Sequence, residues 1–172
     1  TRYNNGISTD NTSFTKRLSI GEPALFSYKK WSLGVEFGIQ DGHTQRLSMN
    51  ATNYANLGSV AVQTTFKPFV DALVEVSHKF GKSDNAAVFV KGGVAYRQLY
   101  FDRDTVNSLH KYNPELQVGV RVNVKDNISI GLGYQGIFGG NATFTTNAVT
   151  ATGHLNKIPS QHGALLTVNW LV

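Results

Sequence analysis

Charged side chains recur at alternating positions along this chain, among small and polar neighbours, and they are its first candidates for chemistry. Side chains at alternate positions of a β-strand share one face of the sheet. An unpaired charge on an enclosed face is very costly, so we expect these groups to pair with one another across a common interior. The predicted ion-pair network consists of Glu36, Asp71, Glu75, Lys91, Arg97 and Arg121.

Catalysis would need a nucleophile beside a base, and the sequence offers no such pair. Ser77 and His78 are neighbours in a predicted strand, so their side chains point to opposite faces. The histidines are dispersed without metal-ligand spacing, and the chain has no cysteine. Gly92-Gly93 lies within a predicted strand and forms no phosphate-binding loop. We therefore expect no enzyme activity, no cofactor and no metal site.

The segments that carry the charged residues alternate between apolar and polar side chains, with the period of a β-strand. From Trp31 to Ile39 the odd-numbered residues are all apolar, whereas the even-numbered ones are serine, glycine or glutamate. The segment 116–124 alternates between aliphatic residues and a mixed set that includes Arg121. No run approaches 18 apolar residues, so we expect no transmembrane helix. The pattern predicts an all-β chain that forms a single domain over residues 1–172.

Short turns and long polar loops separate the predicted strands in strict alternation. The strands are expected at Phe14–Phe26, Trp31–Leu47, Ser59–Phe80, Ala86–Phe101, Leu116–Val124, Ile128–Phe138 and Gly163–Val172. The long loops are expected at Asn50–Asn56, Asp102–Asn113 and Gly139–Ser160, and Thr1–Ser13 also has the composition of a loop.

This alternation predicts an up-and-down antiparallel transmembrane β-barrel. Single-chain bacterial barrels have an even number of strands, with short turns on the periplasmic side and long loops outside. The seven predicted strands therefore suggest an eight-stranded barrel whose first strand precedes Thr1. Splitting Ser59–Phe80 at Pro68 would also give eight, but it would move nearly every long loop to the periplasmic side.

A soluble sandwich or lipocalin has the same period of two, with its apolar face turned inward. Two features favour the membrane. Glycine is abundant on the polar face, as a narrow interior holding Lys and Arg requires. Aromatic residues stand near strand ends, at Trp31, Tyr96, Tyr134 and Trp170, as at a membrane interface. The net charge of +5 is scattered without a basic run, so we expect no nucleic-acid partner.

Several short motifs, in order, resemble those of one family. They are Leu33-Gly34-Val35-Glu36-Phe37-Gly38, Val90-Lys91-Gly92-Gly93-Val94-Ala95-Tyr96-Arg97, Val118-Gly119-Val120-Arg121-Val122 and the closing Leu166–Val172. Together they resemble the OmpA-like family of eight-stranded outer-membrane barrels, over about Leu18 to Val172. The chain departs from the family in ending at Val172, where an aromatic residue is usual, and in carrying Arg121, where many relatives have an acid.

The resemblance implies a protein of the bacterial outer membrane whose partners are membrane lipid and lipopolysaccharide. We expect a structural or surface-interaction role, with loops that contact host, phage or neighbouring proteins. Gly139–Ser160, the longest loop, is the best candidate for such contacts. The charged interior is expected to be a structural polar core or a plug in a narrow lumen. The alternatives are a small-solute outer-membrane pore and a soluble lipocalin-like binder.

Overall fold

The computed structural model describes residues 16–46, 55–56, 63–81, 84–102, 106–125, 128–140, 144–150 and 152–170. Eleven β-strands form within these residues. They are β1 (Arg17–Tyr28), β2 (Trp31–Gln40), β3 (His43–Arg46), β4 (Gln63–Phe66), β5 (Phe69–Phe80), β6 (Ala86–Phe101), β7 (Leu109–Lys125), β8 (Ile128–Ile137), β9 (Phe144–Asn147), β10 (Thr152–Leu155) and β11 (Gln161–Trp170).

Seven of these strands form one continuous antiparallel wall in the order β1-β2-β5-β6-β7-β8-β11. Each strand pairs with the next long strand along the chain, so the up-and-down antiparallel prediction is confirmed. Within the described residues, β1 and β11 each pair on one side only, and the wall is not closed into a barrel.

The connections between the long strands differ at the two ends of the wall. At one end, here called the turn end, the connections are the short segments 29–30, 81–85 and 126–127. At the other, the loop end, they are 41–68, 102–108 and 138–160. Two hairpins lie within the long connections. β3 pairs with β4, which also pairs with β6, and β9 pairs with β10.

The wall is curled, because side chains on distant strands meet across its concave face. Gln135 of β8 donates from Nε2 to Oε1 of Gln40 on β2, at 3.0 Å. Four strand spacings separate β2 from β8, which in a flat sheet would hold the backbones about 19 Å apart. Two glutamine side chains cannot bridge that distance. The concave face therefore encloses an interior.

Several predicted boundaries need correction. Trp31–Leu47 is broken after Gln40, and Ser59–Phe80 is broken at Lys67-Pro68, where proline cannot donate to a ladder. Residues 109–113 were expected in a loop, but they belong to β7. Gly139–Ser160 was expected to be wholly loop, but it contains β9 and β10. Thr1–Ser13, most of Asn50–Asn56 and the last two residues lie outside the described residues.

Candidate functional site

Ionic groups from four neighbouring strands meet on the concave face. Lys91 of β6 lies between two acids, with Nζ 2.5 Å from Oε2 of Glu36 and 3.4 Å from Oε2 of Glu75. Arg121 of β7 approaches the other oxygen of Glu75 at 2.6 Å. These contacts cross from β2 to β7, because alternate residues of every strand in between direct their side chains to the same face.

Arg17 of β1 extends this cluster, and the sequence prediction missed it. Its guanidinium contacts Glu36, and its Nε donates to Oδ2 of Asp71 at 3.0 Å. The signal was present in the sequence, since Arg17, Ser19 and Gly21 continue the polar alternation seen on later strands. With Arg17 included, three cations face three carboxylates. We call this set the ionic cluster: Arg17, Glu36, Asp71, Glu75, Lys91 and Arg121.

The ionic cluster is withdrawn from solvent. Lys91 is 4% exposed and Glu75 is 2% exposed, although both side chains are ionisable. The ring of Phe89 lies beneath the cations, with its centroid 5.2 Å from Nζ of Lys91 and 6.0 Å from Cζ of Arg121. Charges held in such surroundings persist only when they are paired, and here each acid has a basic partner. This arrangement can hold neighbouring strands together and occupy interior space.

Arg97, the sixth residue predicted for the network, lies farther along β6, towards the loop end. Its Nη1 donates to the carbonyl oxygen of Pro159 at 2.8 Å and its Nη2 to Oε1 of Gln161 at 3.2 Å. The guanidinium also lies over the ring of Phe66, 5.0 Å from its centroid. Arg97 therefore connects β6 to the long connection that precedes β11.

Side-chain amides around one carboxyl group form a second polar layer in the interior. Glu115 of β7 accepts hydrogen bonds from Nε2 of Gln117 and Nε2 of Gln135, both at 2.7 Å. Gln135 also reaches Gln40 on the opposite side of the interior. Extending the alternation of β7 by one further step towards the N-terminus of the chain would have identified Glu115, which the prediction omitted.

Apolar side chains close the interior at the loop end. Phe69, Ala95 and Ile137 pack together on the long strands. Leu155 and Ile158, from the connection before β11, are 2% and 1% exposed. The side chain of Asn107 fixes this connection, since its Nδ2 donates to the carbonyl oxygen of Leu155 and its Oδ1 accepts from the backbone N–H of the same residue.

Ser77 and His78, the serine and histidine that are neighbours in the sequence, lie on opposite faces of β5 and do not form a nucleophile–base pair. Ser77 is buried in the interior, where its hydroxyl accepts a hydrogen bond from Nη2 of Arg121 at 3.1 Å. His78 faces outward against Trp31, with ring centroids 4.6 Å apart. In the described residues, no group of three His, Asp or Glu side chains could hold a metal ion.

The convex face carries the apolar side chains of the wall. Val74, Val90 and Val118, on three adjacent strands, are 50%, 48% and 44% exposed. Aromatic rings lie towards both ends of this surface. Tyr96 packs against Tyr112 near the loop end, and the hydroxyl of Tyr134 lies 2.6 Å from Nδ1 of His162. The long strands therefore bury charged and amide side chains on the concave face and expose aliphatic side chains on the convex face.

An open cleft of about 370 Å³ lies at the loop end, beside the β9–β10 hairpin. Hydroxyl, amide and imidazole groups surround it, from Asn107, Thr145, Thr146, Asn147, Thr152 and His154, with Gly153. The predicted contact loop Gly139–Ser160 thus supplies most of the residues that line this polar cleft.

Comparisons of the chain with protein-family models, curated proteins and solved structures found no match. Among the helical residues that the structure describes, none belongs to a helix long and apolar enough to cross a membrane.

Proposed function

We propose that this chain forms the wall of a β-barrel in the outer membrane of a Gram-negative bacterium, with a structural or surface-interaction role. The observation that carries the proposal is the reversed burial of the sheet. Asp71, Glu75 and Lys91 are buried on the concave face, whereas the alternating valines of the same strands are exposed on the convex face. In water, this arrangement would expose a continuous apolar surface, whereas lipid would cover it favourably.

The size of the apolar surface supports the proposal. On β5 the outward-facing residues extend from Val70 to Phe80, and all of them except His78 are apolar. Ten residue steps span about 34 Å along a strand, or about 26 Å across a membrane at a tilt of about 40°. This height is close to the apolar band of outer-membrane barrels, which is about 25 Å.

Aromatic residues border this apolar surface at both of its ends. Tyr28 and Trp31 lie at the turn end, and Tyr96, Tyr112 and Tyr134 lie towards the loop end. Such rings are enriched where a barrel wall meets the lipid headgroups. Together with the sequence resemblance to the OmpA-like family, they favour outer-membrane lipid and lipopolysaccharide as the surroundings of the wall.

The interior favours a structural role over transport. The ionic cluster and the amide layer of Gln40, Glu115, Gln117 and Gln135 bridge the interior, and apolar side chains fill its loop end. A lipocalin-like binder would need an apolar interior for its ligand. Any recognition of partners is therefore assigned to the loop end, where segment 139–160 presents its polar cleft.

Cell fractionation tests this proposal directly. We expect the protein to sediment with outer membranes, to remain there after washing with high salt and alkaline carbonate, and to be released by detergent. A folded, monomeric protein recovered in the aqueous phase without detergent would contradict the proposal and support the soluble alternative.

A further inference from the structure

Arg121 has fewer acidic partners than the other cations of the ionic cluster. Within the described residues, Lys91 and Arg17 each contact two carboxylates, whereas Arg121 contacts only Glu75. The side chain of Arg121 is also 17% exposed, more than that of any other member of the cluster. The charge of Arg121 is therefore the least compensated in the cluster and the most accessible to a solute.

Part of the Arg121 guanidinium remains available to a ligand. Its Nη2 serves both Oε1 of Glu75, at 2.6 Å, and the hydroxyl of Ser77, at 3.1 Å. Neither Nη1 nor Nε of Arg121 donates to any described residue. Neither atom is buried, so solvent reaches both. The N–H groups on Nη1 and Nε can therefore reach a bound anion.

A second cation faces the same part of the concave face. Lys79 of β5 pairs with Ala87 of β6, and Ala87 pairs with Arg121 of β7. The three residues therefore share one row across the sheet, and the backbones of the two cations are two strand spacings apart, or about 10 Å. The side chain of Ala87 is too short to separate them. Lys79 is exposed, and its ammonium forms no ion pair with any described acid.

Small and hydroxyl-bearing residues continue this row across the sheet. Arg121 pairs with Gly131 of β8, and Gly131 pairs with Thr167 of β11. The hydroxyl of Thr167 covers Gly131, with Oγ1 2.5 Å from the position that a Cβ would take there. We call these five residues the cationic row: Lys79, Ala87, Arg121, Gly131 and Thr167. The cationic row contains two cations, a hydroxyl group and no carboxylate.

The cationic row lies close to the turn end of the wall. Lys79 is the penultimate residue of β5, and the short connection 81–85 follows that strand. On the loop-end side of the row, the ring of Phe89 is 3% exposed, and its centroid lies 6.0 Å from Cζ of Arg121. The rest of the ionic cluster, the amide layer and apolar side chains occupy the interior beyond this ring. A solute therefore approaches the row from the turn end.

We infer that the cationic row binds a small soluble oxyanion of the phosphate or sulfate class. Such an ion has oxygen atoms on all sides, so it can accept hydrogen bonds from the guanidinium of Arg121 and the ammonium of Lys79 together. It would also offset the repulsion between these two cations, which have only the carboxylate of Glu75 in contact with them among the described residues.

The position of the row favours a soluble ion over the phosphate of a lipid headgroup. The row faces the interior, whereas lipid in the proposed membrane setting would contact the convex face. The inference goes beyond the proposed function, because it concerns a ligand of the interior. It depends only on residues of the concave face and would hold for the same sheet in water.

Calorimetric titration of the full chain in detergent micelles with inorganic phosphate, at low ionic strength, tests the inference. We expect saturable binding at a single site. Lys79→Gln should weaken that binding about tenfold or more, because it removes a charge-assisted donor and leaves the ionic cluster intact. Lys29→Gln is the matched control, since Lys29 lies at the same end of the wall but over the exposed ring of Tyr28. Its affinity should stay within about twofold of that of the unsubstituted protein.

A second variant tests the requirement for uncompensated positive charge. Ala87→Asp would place a carboxylate between Lys79 and Arg121, so we expect no phosphate binding from a protein that keeps the circular dichroism of β-strands.

Four results would overturn the inference. They are the absence of saturable phosphate binding by the unsubstituted protein, equal affinities of the Lys79→Gln and Lys29→Gln variants, undiminished phosphate binding by folded Ala87→Asp, and displacement of bound phosphate by phosphatidylglycerol added to the micelles. The last result would assign the site to a lipid headgroup instead of a soluble ion.

Discussion

Two acids of the ionic cluster face two cations each, and Glu75, which faces Lys91 and Arg121, is more deeply buried than Glu36, so its loss should affect the interior strongly. Replacing Glu75→Gln would leave two cations close together on a buried face with one fewer carboxylate. Removing one partner of a buried ion pair costs about 3–5 kcal/mol, and we expect Glu75→Gln to lower the free energy of unfolding by an amount in that range. Urea denaturation in detergent micelles would measure it.

The matched control is the surface ion pair of Lys30 and Asp84, which are 3.0 Å apart with side chains 52% and 48% exposed. Asp84→Asn should cost about 0–1 kcal/mol, because water and salt screen that pair. Equal effects of the two substitutions would show that the interior is solvated and that the ionic cluster does not stabilise the wall.

Strand alternation alone placed Glu36, Asp71, Glu75, Lys91 and Arg121 on one face, because a period of two fixes the face of every residue once the strand is known. It could not identify which acid meets which base. That depends on register and curl, which bring Arg17 to Asp71 across β2 and leave Arg97 nearer to Pro159 and Gln161.

At the scale of the element, β7 contains a proline that its ladder tolerates for a specific reason. Pro114 pairs with Phe138 and accepts its N–H at 2.8 Å, but it has no N–H to return. The side chain of Asn113 supplies the missing donor, since its Nδ2 lies 3.1 Å from the carbonyl oxygen of Phe138. The side-chain donor of Asn113 thus takes the place of the missing backbone donor, and β7 and β8 stay paired to the end of β8.

A double-mutant cycle tests this compensation. Asn113→Ala should destabilise the protein by about 1–3 kcal/mol, because the carbonyl oxygen of Phe138 loses its donor. Adding Pro114→Ala restores a backbone N–H, so the double variant should recover part of that loss. Denaturation of the two single variants and the double variant would measure the coupling, and strictly additive effects would contradict the proposed role of Asn113.

A comparison of β6 with β7 shows where prediction from the sequence reached its limit. Ala86–Phe101 was predicted with the bounds of β6, because Val88, Val90 and Val94 share one face of a strand. Residues 109–113 were assigned to a loop because polar residues and Pro114 interrupt the pattern there. The hydrogen bond from Asn113 to Phe138 is a long-range contact, and local pattern cannot reveal it.

At the scale of the whole molecule, the filled interior predicts little permeation. In the barrel that we propose, the ionic cluster and the amide layer obstruct the lumen, and buried apolar side chains occupy its loop end. We expect little or no conductance from the purified protein in planar lipid bilayers. Large, steady conductance would support the alternative of a small-solute pore.

The sequence predicted the alternation of the whole wall, but it could not show which face was outside. Lipocalins and membrane barrels share the same period, and only the curl of the sheet separates a concave from a convex face. The structure supplies that assignment through Gln40 and Gln135, which meet inside, and through the exposed valines outside.

The most direct test of the account is whether lipid covers the convex face. The chain has no cysteine, so a spin label can be attached at Val118→Cys on β7 and, as a matched control, at Val149→Cys in the turn between β9 and β10. Both valines are exposed, at 44% and 94%. In reconstituted vesicles, we predict that the label at position 118 collides mainly with oxygen, as in hydrocarbon, and that the label at 149 collides mainly with a water-soluble nickel chelate. A label at position 118 that is as accessible to the chelate as the one at 149 would contradict the account.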